Sequence, residues 1–355
     1  MFRLLVCFTL IGTVFACAPK CLASDHTHHW HDSHTDFHHF NHTPYWAPIL
    51  PVVAVSIVLY IRILMIIIRL RNTQQFSSFF FRMCISHGFY DITFAIWYIF
   101  VQMSVTDKIF GDNFLLSMNI QPLPMLFYYY IYYFLHGQVI GILVLSINRL
   151  CVVSFPHSSF TKLFDKIPLY AMSLFHVLIP IPFIIHMLFF QAPVYFYVGR
   201  NGSVVRYTAL ESVNANSLQA AIVTLTASVL SAGCYIAVII QLVRNRGITS
   251  SPNTAASRNR DLALTLVCFS LFVTLALEAA FYCSIFIATV EGDNDAVVQI
   301  RPFAVYTSML LSFINPWMLT LTNKSTRKRL LPCSKVEDSS VGRVMTVTNN
   351  SGTIR

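Results

Sequence analysis

Seven apolar stretches, each long enough to cross a lipid bilayer as a helix, constrain this chain more than any other feature. They run over residues 46–68, 78–103, 122–148, 167–190, 217–243, 262–288 and 299–321. About 20 apolar residues cross the roughly 30 Å hydrocarbon core of a membrane. Only 11% of the residues are charged, whereas a typical soluble domain has about 25%. The sequence therefore predicts an all-α membrane protein, a seven-transmembrane helix bundle.

The basic residues of the connectors predict the orientation of the bundle, because Lys and Arg collect in cytoplasmic loops. The odd-numbered connectors and the start of the C-terminal tail carry thirteen: Arg69, Arg71, Arg149, Lys162, Lys166, Arg244, Arg246, Arg258, Arg260, Lys324, Arg327, Lys328 and Arg329. The even-numbered connectors carry four, namely Lys108, Arg200, Arg206 and Arg301. We therefore expect the N-terminus outside and the C-terminus in the cytoplasm. The net charge of +9 reflects this topology, so the partner is the lipid bilayer and no nucleic acid is expected.

The composition divides the chain into four parts. Residues 1–23 combine Arg3, an apolar run too short to span a membrane comfortably, and small residues, which is typical of a secretory signal peptide. An uncleaved anchor is the alternative. Residues 24–45 form a histidine-rich extracellular segment and residues 46–322 the seven-transmembrane domain. Residues 323–355 are polar and rich in serine and threonine, and predict a disordered cytoplasmic tail.

Three positions predict covalent modification. The sequons at Asn41 and Asn201 both fall on the expected outer side, where N-glycosylation occurs, although Pro44 weakens the first. Cys333 follows the basic run "KSTRKRLL" and is placed for palmitoylation. The basic run itself is expected to lie along the anionic inner leaflet.

The histidine-rich segment raises the alternative function of a multi-pass transporter of metal ions. Eight of the thirteen histidines lie within residues 24–43, and neutral imidazole binds zinc readily. Transport also requires ligands inside the bundle, where His87 and Asp91 form an isolated pair at helical spacing. We therefore interpret the segment as peripheral and expect no metal site and no cofactor.

An enzyme is not expected from this sequence. It has no Gly-x-Ser-x-Gly motif with a partner histidine, no His-Glu-x-x-His motif and no glycine-rich phosphate loop. Its twelve glycines leave little room for such a loop.

The inner ends of the third and seventh spans carry polar residues. Asn148 and Arg149 fall where the third span meets the cytosol. Such an arginine commonly anchors a helix in the lipid headgroups. Pro316 interrupts the seventh span, and Asn315 can satisfy the carbonyls that the proline frees. Alone, this pair would indicate a simple kink.

Together these features resemble the architecture of G-protein-coupled receptors. More narrowly, "LSINRLCVVSFP", "FINPWMLTLTNKSTRKRLL" and "SFFFRMCISHGFYD" are similar to nematode serpentine chemoreceptors of the Srg superfamily, with the Srv and Srg families nearest. The resemblance covers roughly residues 46–332. It implies a chemosensory receptor that binds an extracellular small molecule and signals to a heterotrimeric G protein. It also implies the plasma membrane, in such receptors the ciliary membrane of sensory neurons. Coupling is then expected at Asn148 and Arg149, and a helix-seven switch at Asn315 and Pro316.

The chain departs from ordinary rhodopsin-like receptors. Their acidic-Arg-aromatic triplet is here Asn148-Arg149-Leu150, so no carboxylate within the triplet holds the arginine. Leu319 stands where a tyrosine would close the Asn-Pro motif. No cysteine lies at the outer end of the third span or in residues 191–216, so the usual disulfide between them is not expected.

Two carboxylates lie well inside the spans. An ionised side chain at mid-membrane costs roughly 2.5–3.5 kcal/mol on insertion scales, so Asp91 and Glu278 are candidates for function. Asp91 is expected in an inner polar network connected with the switch. A hydrogen bond that serves only packing is the alternative. Glu278 lies nearer the outer half and is the expected counter-charge for a ligand.

Aromatic residues near the outer ends of the spans predict a pocket. The third span begins with a run of tyrosines, and those on both of its sides cannot all face lipid. An interfacial belt is the alternative. The predicted lining residues, which would form an apolar pocket with a few hydrogen-bonding groups, are Tyr129, Tyr133, His136, Tyr282 and Tyr306.

Overall fold

The structure is a computed structural model that describes residues 49–73, 76–105, 110–120, 123–156, 158–190, 194–198, 204–207, 210–244, 252–301 and 303–330. The predicted leader, the histidine-rich segment, both sequons at Asn41 and Asn201, and Cys333 lie outside the described residues.

Within these ranges the chain forms twelve helices and two short strands. In chain order they are α1 (Leu50–Leu70), α2 (Phe79–Val105), α3 (Asp112–Ser117), α4 (Leu123–Ser154), α5 (Ser159–Lys166), α6 (Leu169–Leu178), α7 (Ile181–Phe190), β1 (Tyr195–Val198), β2 (Val204–Tyr207), α8 (Leu210–Arg244), α9 (Pro252–Val290), α10 (Asn294–Ile300), α11 (Phe303–Thr322) and α12 (Lys324–Leu330).

Six of the helices are long and apolar enough to cross a membrane: α1, α2, α4, α8, α9 and α11. They correspond to six of the seven predicted spans, and the predicted all-α membrane fold is confirmed. The helices extend further than the apolar runs, since α8 begins at Leu210 and α9 at Pro252. Backbone hydrogen bonds can extend a helix into polar sequence. Hydropathy therefore located only the apolar part of these helices.

The fourth span is present but is not one continuous helix. It folds as α6 and α7, with Ile179 and Pro180 between them. Pro180 has no N–H to donate, and its ring crowds the carbonyl of the residue four positions earlier, which is His176. The carbonyl of Pro180 accepts a 3.1 Å hydrogen bond from the N–H of Phe183, which restarts the helix.

The helix α4 lies at the centre of the bundle and contacts α2, α6, α7, α8 and α9. Of the residues in the most apolar stretch of α4, 61% are buried inside the bundle. In α1 the corresponding share is 33%, which places α1 at the periphery. Large apolar side chains such as Val52 and Val58 remain exposed on α1. This is expected of a face in contact with lipid tails.

A β-hairpin and α3 lie together at one end of the bundle, and the sequence had not predicted either. β1 and β2 pair antiparallel, with Tyr195 opposite Tyr207. The side chain of Asn119 brackets Phe196: its Nδ2 donates to the Phe196 carbonyl at 2.5 Å and its Oδ1 accepts from the Phe196 N–H at 2.7 Å. Phe196 and Leu115 are both buried, and they pack together. We call this the hairpin end.

The opposite end, which we call the arginine end, carries Arg149, α5 and α12. Ser158 caps α5, with its Oγ accepting a 3.1 Å hydrogen bond from the Thr161 N–H. Lys324–Leu330 form α12, although these residues were expected to begin a disordered tail. The tail prediction therefore fails for this first segment, and the rest of the tail lies outside the described residues.

Candidate functional site

A chain of buried polar side chains crosses the interior of the bundle. It starts at Glu278 of α9, which is fully buried, with an exposed fraction of 0%. Ser308 Oγ of α11 donates a 2.9 Å hydrogen bond to Glu278 Oε1. One turn further along α11, Ser312 Oγ donates to the Ser308 carbonyl at 3.0 Å. Ser312 Oγ also accepts a 2.8 Å hydrogen bond from Gln138 Nε2 of α4.

From Gln138 the chain continues to α2 and α1. Gln138 Nε2 also donates to Asp91 Oδ1 at 2.7 Å, and Tyr60 OH donates to Asp91 Oδ2 at 2.7 Å. Asn315 Nδ2 of α11 then donates to Tyr60 OH at 3.0 Å. We call this set the polar chain, which comprises Glu278, Ser308, Ser312, Gln138, Asp91, Tyr60 and Asn315.

The polar chain brings together three residues that the sequence had singled out separately. Asp91 lies in an inner network with Asn315, and the same network reaches Glu278. Sequence reasoning missed Tyr60, Gln138 and the two serines. The sequence gives only a weak signal for these residues. A single polar residue in an apolar run does not show which residues of other helices it will contact.

Three acceptor oxygens of the polar chain are buried and have no hydrogen-bond partner among the described residues. They are Glu278 Oε2, Gln138 Oε1 and Asn315 Oδ1. A buried polar atom without a partner costs about 1–3 kcal/mol. The polar chain therefore has more acceptors than donors, and a donor that reaches one of these oxygens lowers its energy.

Arg149 lies inside the bundle rather than among lipid headgroups. Only 3% of it is exposed, and its guanidinium carbon lies 4.3 Å from the centre of the Phe80 ring of α2. It also interacts with the Cys268 thiol of α9. A desolvated cation–π contact contributes about 2 kcal/mol. Here an aromatic ring, and not a carboxylate, lies against the face of the guanidinium.

Cys84 of α2 connects Arg149 with the polar chain. Its buried thiol interacts with the Asn315 side chain and, electrostatically, with Cys268 and Arg149. Near the same place Ser146 Oγ and Tyr235 OH lie 2.9 Å apart, joining α4 to α8. A chain of hydrogen bonds therefore runs from Glu278 to Asn315, and Cys84 lies near both Asn315 and Arg149.

Four tyrosines lie together near Glu278, toward the hairpin end. Tyr282 of α9 interacts electrostatically with Glu278, Tyr98 and Tyr128. Tyr132 interacts with Tyr128 and Tyr282, and the hydroxyls of Tyr128 and Tyr132 lie 3.5 Å apart. All four are buried, with exposed fractions of 6–8%. We call Tyr98, Tyr128, Tyr132 and Tyr282 the tyrosine cluster.

The family model of the serpentine type 7TM GPCR chemoreceptor Srv matches residues 50–335. The chain belongs to the Srv family. The match covers most of the chain, including six of the predicted spans and nearly all of the first. It confirms the resemblance to serpentine chemoreceptors. This is a family of receptors, neither of enzymes nor of metal transporters. Comparison with curated proteins gives no match.

In this Srv receptor the predicted pocket residues are only partly together. Tyr282 interacts with Glu278, and the α4 residues that interact with Tyr282 are Tyr128 and Tyr132, one position before Tyr129 and Tyr133 of the predicted lining. Consecutive residues of a helix point about 100° apart, so a shift of one position selects a different face.

The remaining predicted pocket residues have other surroundings. Tyr129 is buried with its ring edge-on to Tyr128 at 5.1 Å. Tyr133 OH donates to the Val177 carbonyl of α6 at 2.9 Å. His136 packs on Phe183 of α7, with 5.0 Å between ring centres. Tyr306 of α11 is 40% exposed.

The histidines inside the bundle pack as aromatic side chains. The rings of His87 and His176 stack at 5.5 Å with an interplanar angle of 2°. His176 lies 3.0 Å from Ser86 Oγ and 2.8 Å from the Gly137 carbonyl, which fixes its position. His87 Nε2 is 3.6 Å from Asp91 Oδ1, so the predicted pair is present. In the part of the chain that the structure describes, no three His, Cys, Asp or Glu side chains are grouped to hold a metal ion.

Proposed function

We propose that this Srv receptor lies in the plasma membrane with its N-terminus outside, binds an extracellular small molecule at the hairpin end and signals to a heterotrimeric G protein at the arginine end. The ciliary membrane of a sensory neuron is the expected location. The observation that carries the proposal is the chain of hydrogen bonds from Glu278 to Asn315, which ends near Cys84 and Arg149.

The ligand-binding side of the proposal rests on Glu278. Its Oε2 has no hydrogen-bond partner among the described residues, and Tyr282 of the tyrosine cluster lies near Glu278 on α9. A ligand donor at Oε2 changes the charge that Ser308 Oγ experiences. Ser308 and Ser312 are one turn apart on α11, so the effect passes to Gln138 along hydrogen bonds.

The switch in this proposal is α11. Pro316 lies inside α11 and cannot donate a backbone hydrogen bond, which makes this part of the helix easier to bend. Asn315 sits beside it and holds α11 to Tyr60 of α1. Movement of Asn315 alters its contact with Cys84 and hence the surroundings of Arg149. A ligand shifts this equilibrium only through its different affinity for the two states.

Coupling is assigned to Arg149 with Asn148 beside it. Both are buried in the state described. Separation of Arg149 from the Phe80 ring would open the arginine end to a G-protein helix. The predicted leader, glycosylation at Asn41 and Asn201, and palmitoylation at Cys333 belong to the same proposal and fit its orientation.

The test is ligand-evoked G-protein activation in a heterologous cell, with a small-molecule extract as stimulus. Arg149→Ala is compared with Arg71→Ala, which removes an exposed arginine at the same end. At equal surface expression we expect Arg71→Ala to signal like the intact chain and Arg149→Ala to lose at least about 90% of the response. A response of Arg149→Ala equal to that of the intact chain would refute the proposed coupling.

A further inference from the structure

Glu278 has no counter-charge among the described residues. The side chains of Thr307 and Ser308 are the polar groups beside it. Ser308 Oγ donates to Oε1, while Oε2 has no hydrogen-bond partner among the described residues. No basic side chain of the described residues forms an ion pair with it. Burying a carboxylate without a counter-charge is unfavourable, so Glu278 either holds a proton or pairs with a cation. A cation that reaches Glu278 stabilises its ionised form.

The tyrosine cluster favours the same kind of group. The face of an aromatic ring carries negative charge and attracts a cation, more strongly when water is excluded. Tyr282 is the member of the cluster next to Glu278, and the other three buried rings are grouped with Tyr282. The cluster therefore places an apolar, ring-lined surface next to an acidic group. An anionic ligand would meet the like charge of Glu278 and the negative ring faces.

A basic residue near the cluster would favour an anionic ligand instead of a cation. Arg301, at the C-terminal end of α10, interacts electrostatically with Tyr132. It is exposed, and water and salt screen an exposed charge much more than a buried one. The fully buried Glu278 therefore dominates the preference of the site.

We propose that the ligand class is a small protonated amine with an apolar or aromatic body, an inference that rests on the function proposed above. Its N–H donates to Glu278 Oε2, and its body packs against the rings of Tyr98, Tyr128, Tyr132 and Tyr282. The N–H is required because Oε2 is an acceptor. An amine therefore binds more tightly than an alcohol of the same shape.

The experiment uses the purified full-length receptor and measures its thermal unfolding with 2-phenylethylamine and, separately, with 2-phenylethanol, an uncharged compound of nearly the same shape. Ligand that binds only the folded state raises Tm, by about 3 °C at ten times the dissociation constant. We expect a dose-dependent rise with the amine and at least about tenfold weaker binding of the alcohol.

Two pairs of variants locate the effect. Glu278→Gln keeps the shape but removes the charge, and we expect it to weaken amine binding at least tenfold, while Glu211→Gln, at an exposed carboxylate of the hairpin end, binds normally. If Glu278→Gln does not fold, Tyr132→Leu and Tyr132→Phe give the answer. Leucine should weaken amine binding several-fold, and phenylalanine should not, because it keeps the ring.

Equal shifts from the amine and the alcohol, no amine-specific shift at all, or full amine binding by both Glu278→Gln and Tyr132→Leu would overturn the amine assignment. These outcomes leave the proposed receptor function standing if the extract still activates a G protein through Arg149. Conversely, Glu278-dependent amine binding without any G-protein response supports the ligand class and contradicts the proposed coupling.

Discussion

At the scale of single residues, Arg149 lacks the adjacent carboxylate of rhodopsin-like receptors and contacts an aromatic ring of another helix instead. The triplet Asn148-Arg149-Leu150 offers no carboxylate, and the sequence could not show what takes that place. The structure places the Phe80 ring of α2 against the guanidinium. The partner lies 69 positions away in the chain, so neither motif nor spacing reveals it.

We predict that Phe80→Leu raises ligand-independent G-protein activation. Leucine keeps an apolar side chain but loses the ring face that holds Arg149, which weakens the resting state by about 0.5–2 kcal/mol. The control is Phe79→Leu, since the equally buried Phe79 ring packs on Phe164 instead. Basal activation several-fold above that of the control is expected, and equal basal activity in the two variants would count against this holding contact.

Gly141 of α4 gives a prediction about stability. A Cβ there would lie 2.5 Å from His87 Nδ1 and 3.1 Å from His176 Nε2, and the stacked rings cannot both retreat. We predict that Gly141→Ala lowers the free energy of unfolding by about 1–3 kcal/mol. Gly233→Ala is the control, because nothing lies within 4 Å of its added Cβ. There we expect a gain of about 0.5–1 kcal/mol in helix propensity. Thermal unfolding in detergent compares the two variants.

At the scale of elements, the sequence predicted helices well where the signal is local. Hydropathy located six of the seven spans as long helices, because lipid exposure requires continuous apolar sequence. Breaks and short elements were harder to predict. Pro180 divides the fourth span, and the hairpin is too short to show strand periodicity in a polar connector.

The Asn119 bracket on Phe196 occupies the region where rhodopsin-like receptors have a disulfide. We predict that Asn119→Ala frees the hairpin, because it leaves both the N–H and the carbonyl of Phe196 without their side-chain partner. Asn119→Asp keeps only the acceptor and should have an intermediate effect. Hydrogen exchange of residues 195–198 measures this. We expect exchange to be about tenfold faster in the alanine variant, and unchanged exchange would mean that the apolar contact of Phe196 with Leu115 suffices.

At the scale of the whole molecule, the positive charges of the connectors predict which end of the bundle faces outward. The structure separates the hairpin end from the arginine end, and the basic residues concentrate at the latter. The three-dimensional path of the polar chain was beyond prediction from the sequence. It joins Tyr60 to Asn315 across 255 positions of the chain, a pairing that depends on how five helices pack.

Glycosylation tests the proposed topology. If the hairpin end is extracellular, Asn201 carries a glycan when the receptor is made in a eukaryotic cell. Endoglycosidase treatment should then increase the gel mobility of the intact chain but not that of the double variant Asn201→Gln, Asn41→Gln. The sequon Asn323-Lys-Ser, at the arginine end of the bundle, is the internal control and is expected to stay unmodified. A glycan at Asn323 and none at Asn201 or Asn41 would show that the receptor has the opposite orientation.

The central claim is that the polar chain carries the ligand signal from Glu278 toward Arg149, and Ser312→Ala tests it most directly. This change removes one hydroxyl and thereby the link between Gln138 and α11. Ser270→Ala is the matched control. Among the contacts described, Ser270 Oγ donates a hydrogen bond only to the Val267 carbonyl, which belongs to the same helix.

The measurement is ligand-evoked G-protein activation beside ligand binding in the same membranes. With Ser312→Ala the account predicts binding within about threefold of the intact receptor and evoked activation reduced at least tenfold. Ser270→Ala should leave both unchanged. Full activation of Ser312→Ala at normal binding would contradict the account, because the signal would then reach the arginine end by another route.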